Sequence, residues 1–268
     1  MINDEDYQQR FGGIARIYGN QALQQFSGSH VMVVGIGGVG SWVAESLARS
    51  GVGRITLIDL DDICVTNINR QIHALTDTIG QSKTAVMSGR LRAINPLIQV
   101  TEVANFLIPG NCAELITADI DYVVDAIDSV KSKAALIAHC RRSKKPFITI
   151  GGAGGKTEPA KIKVCDIAQA THDPLLAKVR SKLRKDYRIR DNSRGRLNVP
   201  CVFSTEQISY PPLESECPTQ PTNSSFRLDC NTGFGSVSHL TATFAFFAVS
   251  ETLKKLASQA TTTSHAPG

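Results

Sequence analysis

The chain of 268 residues lacks the features that mark secreted, zinc-binding and membrane-spanning proteins. Its seven cysteines are odd in number and include no C-x-x-C pair, so neither a disulfide framework nor a four-cysteine zinc site is predicted. We find no signal peptide, and the longest weakly polar stretch, residues 240–249, is too short to span a bilayer. We therefore expect a reduced, cytoplasmic protein in which residues 240–249 form a buried helix.

Apolar runs of strand length alternate with segments of helical periodicity along the first 150 residues. This alternation predicts an α/β fold, a Rossmann-like doubly wound and mainly parallel sheet with helices on both faces. The predicted strands are 31–34, 54–59, 99–103, 121–126 and 146–150, and the predicted helices are 41–50, 83–94 and 131–142.

The pattern loosens after Gly151, and no internal repeat divides the chain. We predict a single domain over residues 1–268 with a loop-rich C-terminal half. Within it, residues 10–155 would form a nucleotide-binding core, residues 156–234 would be insertions that contact substrate or tRNA, and residues 235–257 would form the C-terminal helix.

A glycine-rich turn joins the first predicted strand to the first predicted helix. Its glycines are Gly35, Gly37, Gly38 and Gly40. The start of a helix has unpaired backbone N–H groups, which favour a phosphate. Asp59 ends the next strand about 20 residues later, where this fold binds a ribose hydroxyl. The order predicts a nucleotide site, although a tight turn without a ligand would need the same glycines.

Arg70, Lys83 and Asp128 distinguish this site from that of a dehydrogenase. A dehydrogenase has no need for two cations beside a triphosphate. Arg70 and Lys83 could neutralise phosphate charge during a displacement, and Asp128 could hold magnesium at the end of its strand. Each residue by itself would more often be a surface ion-pair partner.

The ordered elements G-x-G-G-x-G, D-x-D, N-x-x-R-Q, K and D resemble the ubiquitin-activating-enzyme-like superfamily over residues 10–155. The resemblance implies that a carboxylate attacks the α-phosphate of magnesium ATP, which yields an acyl-adenylate and pyrophosphate. It assigns catalytic roles to Arg70, Lys83 and Asp128, and it assigns magnesium to Asp128. It assigns ATP contacts to Gly35, Gly37, Gly38, Gly40, Asp59, Asp61, Asn67, Arg70, Lys83 and Asp128.

Nearly end to end, the chain is similar to one branch of that superfamily, whose members dehydrate threonylcarbamoyladenosine in the tRNA anticodon loop. The matching segments are 71–75, 125–129, 151–155 and 201–206. The resemblance implies that the threonyl carboxylate is adenylated and that ring closure then expels AMP. It also implies a homodimer, a bound Na⁺ or K⁺ ion and contact with a cysteine desulfurase or another sulfur acceptor.

Residues 178–196 contain nine basic and two acidic residues, whereas the whole chain has a net charge of only +5. Such a run is either a solvated helix face followed by a loop or a surface for a polyanion. The resemblance makes tRNA the expected polyanion. The candidate tRNA contacts are Lys178, Lys182, Arg184, Lys185, Arg188 and Arg190.

Several assignments stay open. Cys230 matches a cysteine of this branch and could form a thioester, although intramolecular attack by the substrate needs no enzyme nucleophile. Either Arg10 or Arg16 could be the N-terminal arginine that family dimers donate to the partner's site. His73 is near the ATP motifs in sequence, but a core histidine is the simpler interpretation. The glycines of residues 151–155 could admit a flat substrate or form a plain connection.

Two other functions remain as alternatives. The chain could adenylate the C-terminus of a small sulfur-carrier protein, but enzymes of that kind have paired C-x-x-C zinc ligands that this sequence lacks. It could also be a nucleotide-binding adaptor in a sulfur relay without chemistry of its own. Mere binding would not require Arg70, Lys83 and Asp128 together.

Overall fold

The computed structural model describes residues 4–209 and 235–263. Within them the helices are α1 (Asp4–Tyr18), α2 (Asn20–Gly28), α3 (Gly40–Arg49), α4 (Lys83–Ile94), α5 (Cys112–Leu115), α6 (Val130–Arg142), α7 (Pro174–Asp186) and α8 (Ser238–Thr263). The strands are β1 (His30–Val34), β2 (Arg54–Ile58), β3 (Gln99–Val103), β4 (Tyr122–Asp125), β5 (Phe147–Ile150), β6 (Ile162–Asp166) and β7 (Pro200–Ser204).

All seven strands form one sheet in the order β3-β2-β1-β4-β5-β7-β6. Neighbouring strands are parallel except β6, which is antiparallel to β7 at the edge. From β1 at the centre of the sheet, the chain passes through β2 to β3 at one edge. It then returns to the centre, where β4 lies beside β1, and continues towards the opposite edge. The predicted doubly wound α/β fold is therefore confirmed, and its switch in strand order falls between β1 and β4, where such folds bind ligands.

Strand β1 shows why the sheet is buried on both faces. All five of its residues are buried. Val31 and Val33 belong to the apolar core on one face, together with α3, α4 and α8. Met32 and Val34 belong to the core on the other face, together with α5, α6 and α7. A continuous apolar run in place of an alternating pattern is typical of such a central parallel strand.

The predicted helices and strands agree closely with the observed ones where a segment shows a single clear apolar periodicity. The predicted bounds 83–94 and 99–103 equal those of α4 and β3. Residues 240–249 lie in α8, so the predicted helix is confirmed; its Leu240, Phe244 and Ala245 are fully buried, whereas Phe246 and Phe247 are exposed. Helices α1 and α2 and the β6–β7 pair were not predicted. Among the described residues, no helix has the length and apolarity needed to cross a membrane.

Candidate active site

The carboxyl ends of β1, β2 and β4 meet at one edge of the sheet, and the glycine turn lies there. Gly35 has φ +86°, and a β-carbon on it would lie 2.9 Å from the carbonyl oxygen of Ala126, which follows β4. A β-carbon on Gly40 would lie 1.7 Å from the carbonyl oxygen of Gly35. Both positions therefore require glycine, because α3 begins in direct backbone contact with the end of β1.

Gly37 and Gly38 form the outer part of the turn. No atom of the described structure lies within 4 Å of a β-carbon built on Gly37. A β-carbon on Gly38 would lie 3.3 Å from Cγ and Cδ of Arg70. The turn thus leaves open space beside the N-terminus of α3, and the Arg70 side chain borders that space. A phosphate could approach the backbone here.

Asp59 connects the glycine turn to β2. Its Oδ2 accepts a hydrogen bond of 2.6 Å from the backbone N–H of Ile36, and its Oδ1 accepts one of 2.9 Å from Asp61. The side chain is buried. Each carboxylate oxygen has a second lone pair, so a ribose hydroxyl could still donate to Asp59. The carboxylate also holds the turn in place.

Lys83, the first residue of α4, forms an ion pair with Asp61. Its Nζ lies 2.8 Å from Oδ2 of Asp61, and its backbone N–H donates to the Asp61 carbonyl over 3.1 Å. Lys83 is buried, whereas Asp61 is exposed. Because Asp61 is two residues beyond Asp59, the lysine lies beside the same turn.

Arg70 is held by contacts from two helices. Its carbonyl oxygen accepts hydrogen bonds from Nε1 of Trp42 in α3, at 3.0 Å, and from Oγ1 of Thr241 in α8, at 3.4 Å. Its guanidinium donates to the Thr66 carbonyl over 2.8 Å. Asn67 accepts the Cys64 N–H at its Oδ1 over 3.1 Å, so this amide closes the preceding turn.

Asp128 lies three residues beyond β4 and is exposed at the carboxyl edge. The pKa of its carboxyl group is raised, chiefly because the surrounding protein reduces its solvation, and the negative charges of Asp61 and Asp59 add to the shift. A cation bound here would relieve that repulsion. Among residues 4–209 and 235–263, no group of three or more His, Cys, Asp or Glu side chains could hold a metal ion alone. Magnesium usually completes its coordination with phosphates and water, so this donor set fits it.

A buried ion pair supports the turn that leads to Asp128, and the sequence analysis missed it. Lys133 and Asp125 both have 0% side-chain exposure, and Nζ lies 3.0 Å from Oδ1. Thr149 of β5 completes the group, because its hydroxyl donates to Oδ2 of Asp125 over 2.6 Å and accepts from Lys133 over 3.1 Å. Oδ1 of Asp125 also accepts the N–H of Ile127. A lysine within the apolar pattern of α6 was the signal in the sequence.

His73 is a core residue, with 1% of its surface exposed. Neither ring nitrogen has a hydrogen-bond partner within the described part of the chain. Its pKa is lowered to about 4 by burial and, to a smaller extent, by the positive charges of Lys83 and Arg90. The imidazole is therefore neutral at pH 7 and keeps the role of a core side chain.

The first glycine after β5 serves internal packing. A β-carbon on Gly151 would lie 2.0 Å from Oδ2 of Asp173, which caps the N-terminus of α7. The same carboxylate accepts the N–H of Gly152 over 2.9 Å and that of Leu176 over 2.9 Å. Gly151 is thus needed for the approach of an internal carboxylate, whatever else this loop contacts.

The basic run does not lie beside the glycine turn. It begins on α7, which starts next to Gly152 at the carboxyl edge and then runs along the sheet face to the amino edge. Lys182 pairs with Asp186, and Arg184 pairs with Asp191 at 3.0 Å. Lys178 and Lys185 are exposed on α7, and Arg188 and Arg190 follow in the exposed loop.

The remaining candidates fall elsewhere. Cys230 lies outside the described residues. Arg10, on α1, pairs with Asp6 at 3.0 Å and donates to the Ile94 carbonyl over 3.4 Å. Arg16 is exposed near the end of α1.

We expect Lys133→Met to lower the free energy of unfolding by about 3–5 kcal/mol, because it leaves the Asp125 carboxylate buried without its cation. The double variant Asp125→Asn/Lys133→Met should recover part of this loss, since it removes both charges. Urea denaturation measures the effect. Equal stability of the single variant and the parent protein would contradict the assigned role.

We expect Gly40→Ala to destabilise the fold, because its β-carbon would overlap the Gly35 carbonyl. Gly37→Ala should leave the melting temperature nearly unchanged, since its β-carbon meets no atom, yet it should weaken ATP binding by obstructing the phosphate. Thermal denaturation and titration with ATP measure the two effects. A Gly37→Ala variant that binds ATP normally would argue against a phosphate at this turn.

Comparison with known proteins gives matches along nearly the whole chain. The tRNA threonylcarbamoyladenosine dehydratase of Escherichia coli is 52% identical over 262 residues, which cover 97% of this chain and 98% of that protein. The dehydratase of the same name from Haemophilus influenzae is 50% identical over 256 residues, which cover 96% of each protein.

Solved structures give the same result for the fold. A crystal structure of the E. coli dehydratase in complex with ATP matches with a TM-score of 0.87 and 51% identity, and the match covers 97% of this chain and 98% of that one. A structure of the same protein in complex with AMP also matches with a TM-score of 0.87. Residues 8–267 of this chain match the ThiF family. The chain therefore belongs to the ThiF family.

Proposed function

We propose that the protein is an enzyme that dehydrates threonylcarbamoyladenosine in tRNA in an ATP-dependent reaction. One observation carries the proposal: the residues expected to contact ATP lie at one edge of the sheet, in a chain that is 52% identical to a dehydratase of this name over nearly its full length. The E. coli relative has been crystallised with both ATP and AMP, a nucleotide pair that an adenylation reaction would use and release.

The geometry supports a sequence of two displacements. The open space beside Gly37 and the N-terminus of α3 would receive the phosphates. The threonyl carboxylate would then attack the α-phosphorus, and the bond to pyrophosphate would break. Arg70 and Lys83 would neutralise the charge that develops on the phosphate oxygens.

In the second displacement, a nucleophilic atom of the substrate itself would attack the activated carbonyl carbon. The attacking atom would lose its proton, the bond to the adenylate oxygen would break, AMP would leave and a ring would close, so that the product has lost one water relative to the substrate. Proximity makes this step effectively unimolecular, and it needs no enzyme nucleophile. Cys230 remains a candidate for an intervening thioester.

We propose Asp128 as the protein ligand of Mg²⁺, on the basis of its raised pKa and its position beside Asp59 and Asp61. Bound magnesium would withdraw charge from the ATP phosphates. The monovalent cation expected from the resemblance, Na⁺ or K⁺, stays a proposal without assigned ligands.

The proposed partners follow from the same reaction. Lys178, Lys182, Arg184, Lys185, Arg188 and Arg190 are the proposed tRNA contacts. A tRNA substrate favours action in the cytoplasm. We also retain the cysteine desulfurase or sulfur-acceptor partner and the single-domain organisation with its three functional segments as proposals.

A homodimer is supported by apolar surface on α8. Phe246 is 47% exposed and packs edge to face on Trp42, and Phe247 is 37% exposed. We expect the protein to sediment as a dimer, and we expect Phe246→Asp/Phe247→Asp to shift it towards the monomer because charges would enter an apolar contact. Analytical ultracentrifugation measures this shift. A monomeric parent protein would contradict the proposal.

The central test mixes the purified protein with magnesium ATP and tRNA that contains threonylcarbamoyladenosine. AMP should be released, and mass spectrometry of the nucleoside should show the loss of one water. Lys83→Ala and Asp128→Ala should each lower turnover by about 100-fold or more, because they remove charge stabilisation from the transition state.

Gly89→Ala is the matched control, since its β-carbon in the exposed part of α4 meets no other atom. It should keep full activity. Pyrophosphate exchange that depends on a small carrier protein and not on tRNA would favour the sulfur-carrier function instead. Full activity of Cys230→Ala would exclude an obligatory thioester.

A further inference from the structure

A surface cleft of about 310 Å³ lies where the C-terminal ends of α6 and α7 come together. Four arginines line it, Arg141 and Arg142 from the last turn of α6 and Arg188 and Arg190 from the loop after α7. Tyr187 adds an aromatic ring to the same wall. The cleft is at the amino edge of the sheet and is separate from the candidate active site.

None of these four arginines forms an ion pair with any residue in 4–209 or 235–263. Their neighbours on α7 behave differently, since Lys182 and Arg184 are paired with Asp186 and Asp191. Four guanidinium groups that find no carboxylate partner in the described part of the chain repel one another. A bound polyanion would remove that repulsion.

The backbone gives an independent indication. Helix α7 ends with Arg188 at φ +55°, and the N–H of Ile189 then donates to the Leu183 carbonyl, six residues back, over 3.0 Å. Helix α6 ends in a Schellman turn, with the N–H of Lys145 bonded to the Cys140 carbonyl and Lys144 at φ +54°. Glycine is the residue that this left-handed position favours.

A basic side chain thus occupies the glycine position at the end of both helices. The negative end of a helix dipole attracts cations, and that attraction accounts for basic residues in the last turn of each helix. It does not account for a β-carbon at the left-handed position, which costs stability relative to glycine. Strained backbone of this kind is retained more often where the side chain has a function.

The distance from the active site limits what the cleft can bind. Arg141 is 13 residues beyond Asp128, and α6 rises about 1.5 Å per residue, so the cleft lies on the order of 20 Å from the proposed reaction centre. Lys178, Lys182 and Lys185 on α7 have the i, i+4, i+7 spacing of one helix face and lie between the two ends. A target base bound at the carboxyl edge could not itself reach the cleft. The helical stem that leads away from that base could reach it.

We propose that this cleft binds backbone phosphates of the double-helical stem next to the tRNA loop that enters the active site. The proposal rests on the proposed function for the identity of the RNA. Arginine forks bind phosphate oxygens in pairs without reading the sequence, and double-stranded RNA is recognised mainly through its shape and backbone. The cleft would therefore provide affinity and orientation, and the carboxyl edge would provide the chemistry.

Substitution of Arg188 separates this role from a structural one. Arg188→Gly should raise the melting temperature, because it relieves the left-handed backbone, and should weaken binding of unmodified tRNA in the absence of ATP. Asn198→Gly, also at positive φ, at +53°, is the control for the backbone change and should not alter RNA affinity. Arg92→Ala on α4, across the sheet, is the control for loss of an exposed charge.

Salt dependence and stem length provide the decisive measurement. The slope of log affinity against log salt should fall by about 1 for each phosphate contact that is lost, and hence by about 2 in Arg141→Ala/Arg142→Ala. The loss should be present with a full-length anticodon stem and absent with the isolated loop. Equal losses with both RNAs, or no loss with either, would overturn the proposal.

These binding measurements use RNA without the modification and without ATP. They can therefore succeed even if dehydration is not the reaction, and a failure of the cleft leaves the activity test of the proposed function unaffected.

Discussion

At the point where the sheet reverses its strand order, Asp125 and Lys133 form an ion pair whose two side chains are wholly buried. Removing two charges from water costs several kcal/mol for each ion, so the pair persists only because further hydrogen bonds satisfy it. Those bonds come from Thr149 on the neighbouring strand and from the turn after β4. The pair thereby holds the turn on which Gly35 packs and from which Asp128 projects, and the geometry of the active site depends on it.

The charges of the protein are divided between the two edges of the sheet. Carboxylates from the ends of parallel strands gather at the carboxyl edge, where reduced solvation raises the pKa of Asp128 and the negative charges of Asp61 and Asp59 add to the shift. Arginines gather at the amino edge, where α6 and α7 end. One edge is therefore suited to a metal nucleotide and the other to a phosphate backbone, and the length of α6 sets the distance between them.

Much of the core could be predicted from sequence because parallel strands have continuous apolar runs and their connecting helices have apolar faces. The match of residues 83–94 to α4 is the clearest case. The prediction failed where the pattern was weaker: α1 and α2 have few apolar residues, and the edge pair β6–β7 lies beyond the regular alternation. The buried Lys133 was missed because its partners are 8 and 16 residues away and on different strands.

The sequence by itself determined the order of elements and the place of the glycine-rich turn after β1, because periodicity and turn preferences act between residues close in the chain. Only the tertiary structure decided what each glycine and each charge faces. It showed that Gly151 makes room for Asp173, that Asn67 closes a turn, and that the basic run reaches the edge of the sheet opposite the glycine turn. Those outcomes depend on strand order and helix direction, which set distances between residues that are remote in sequence.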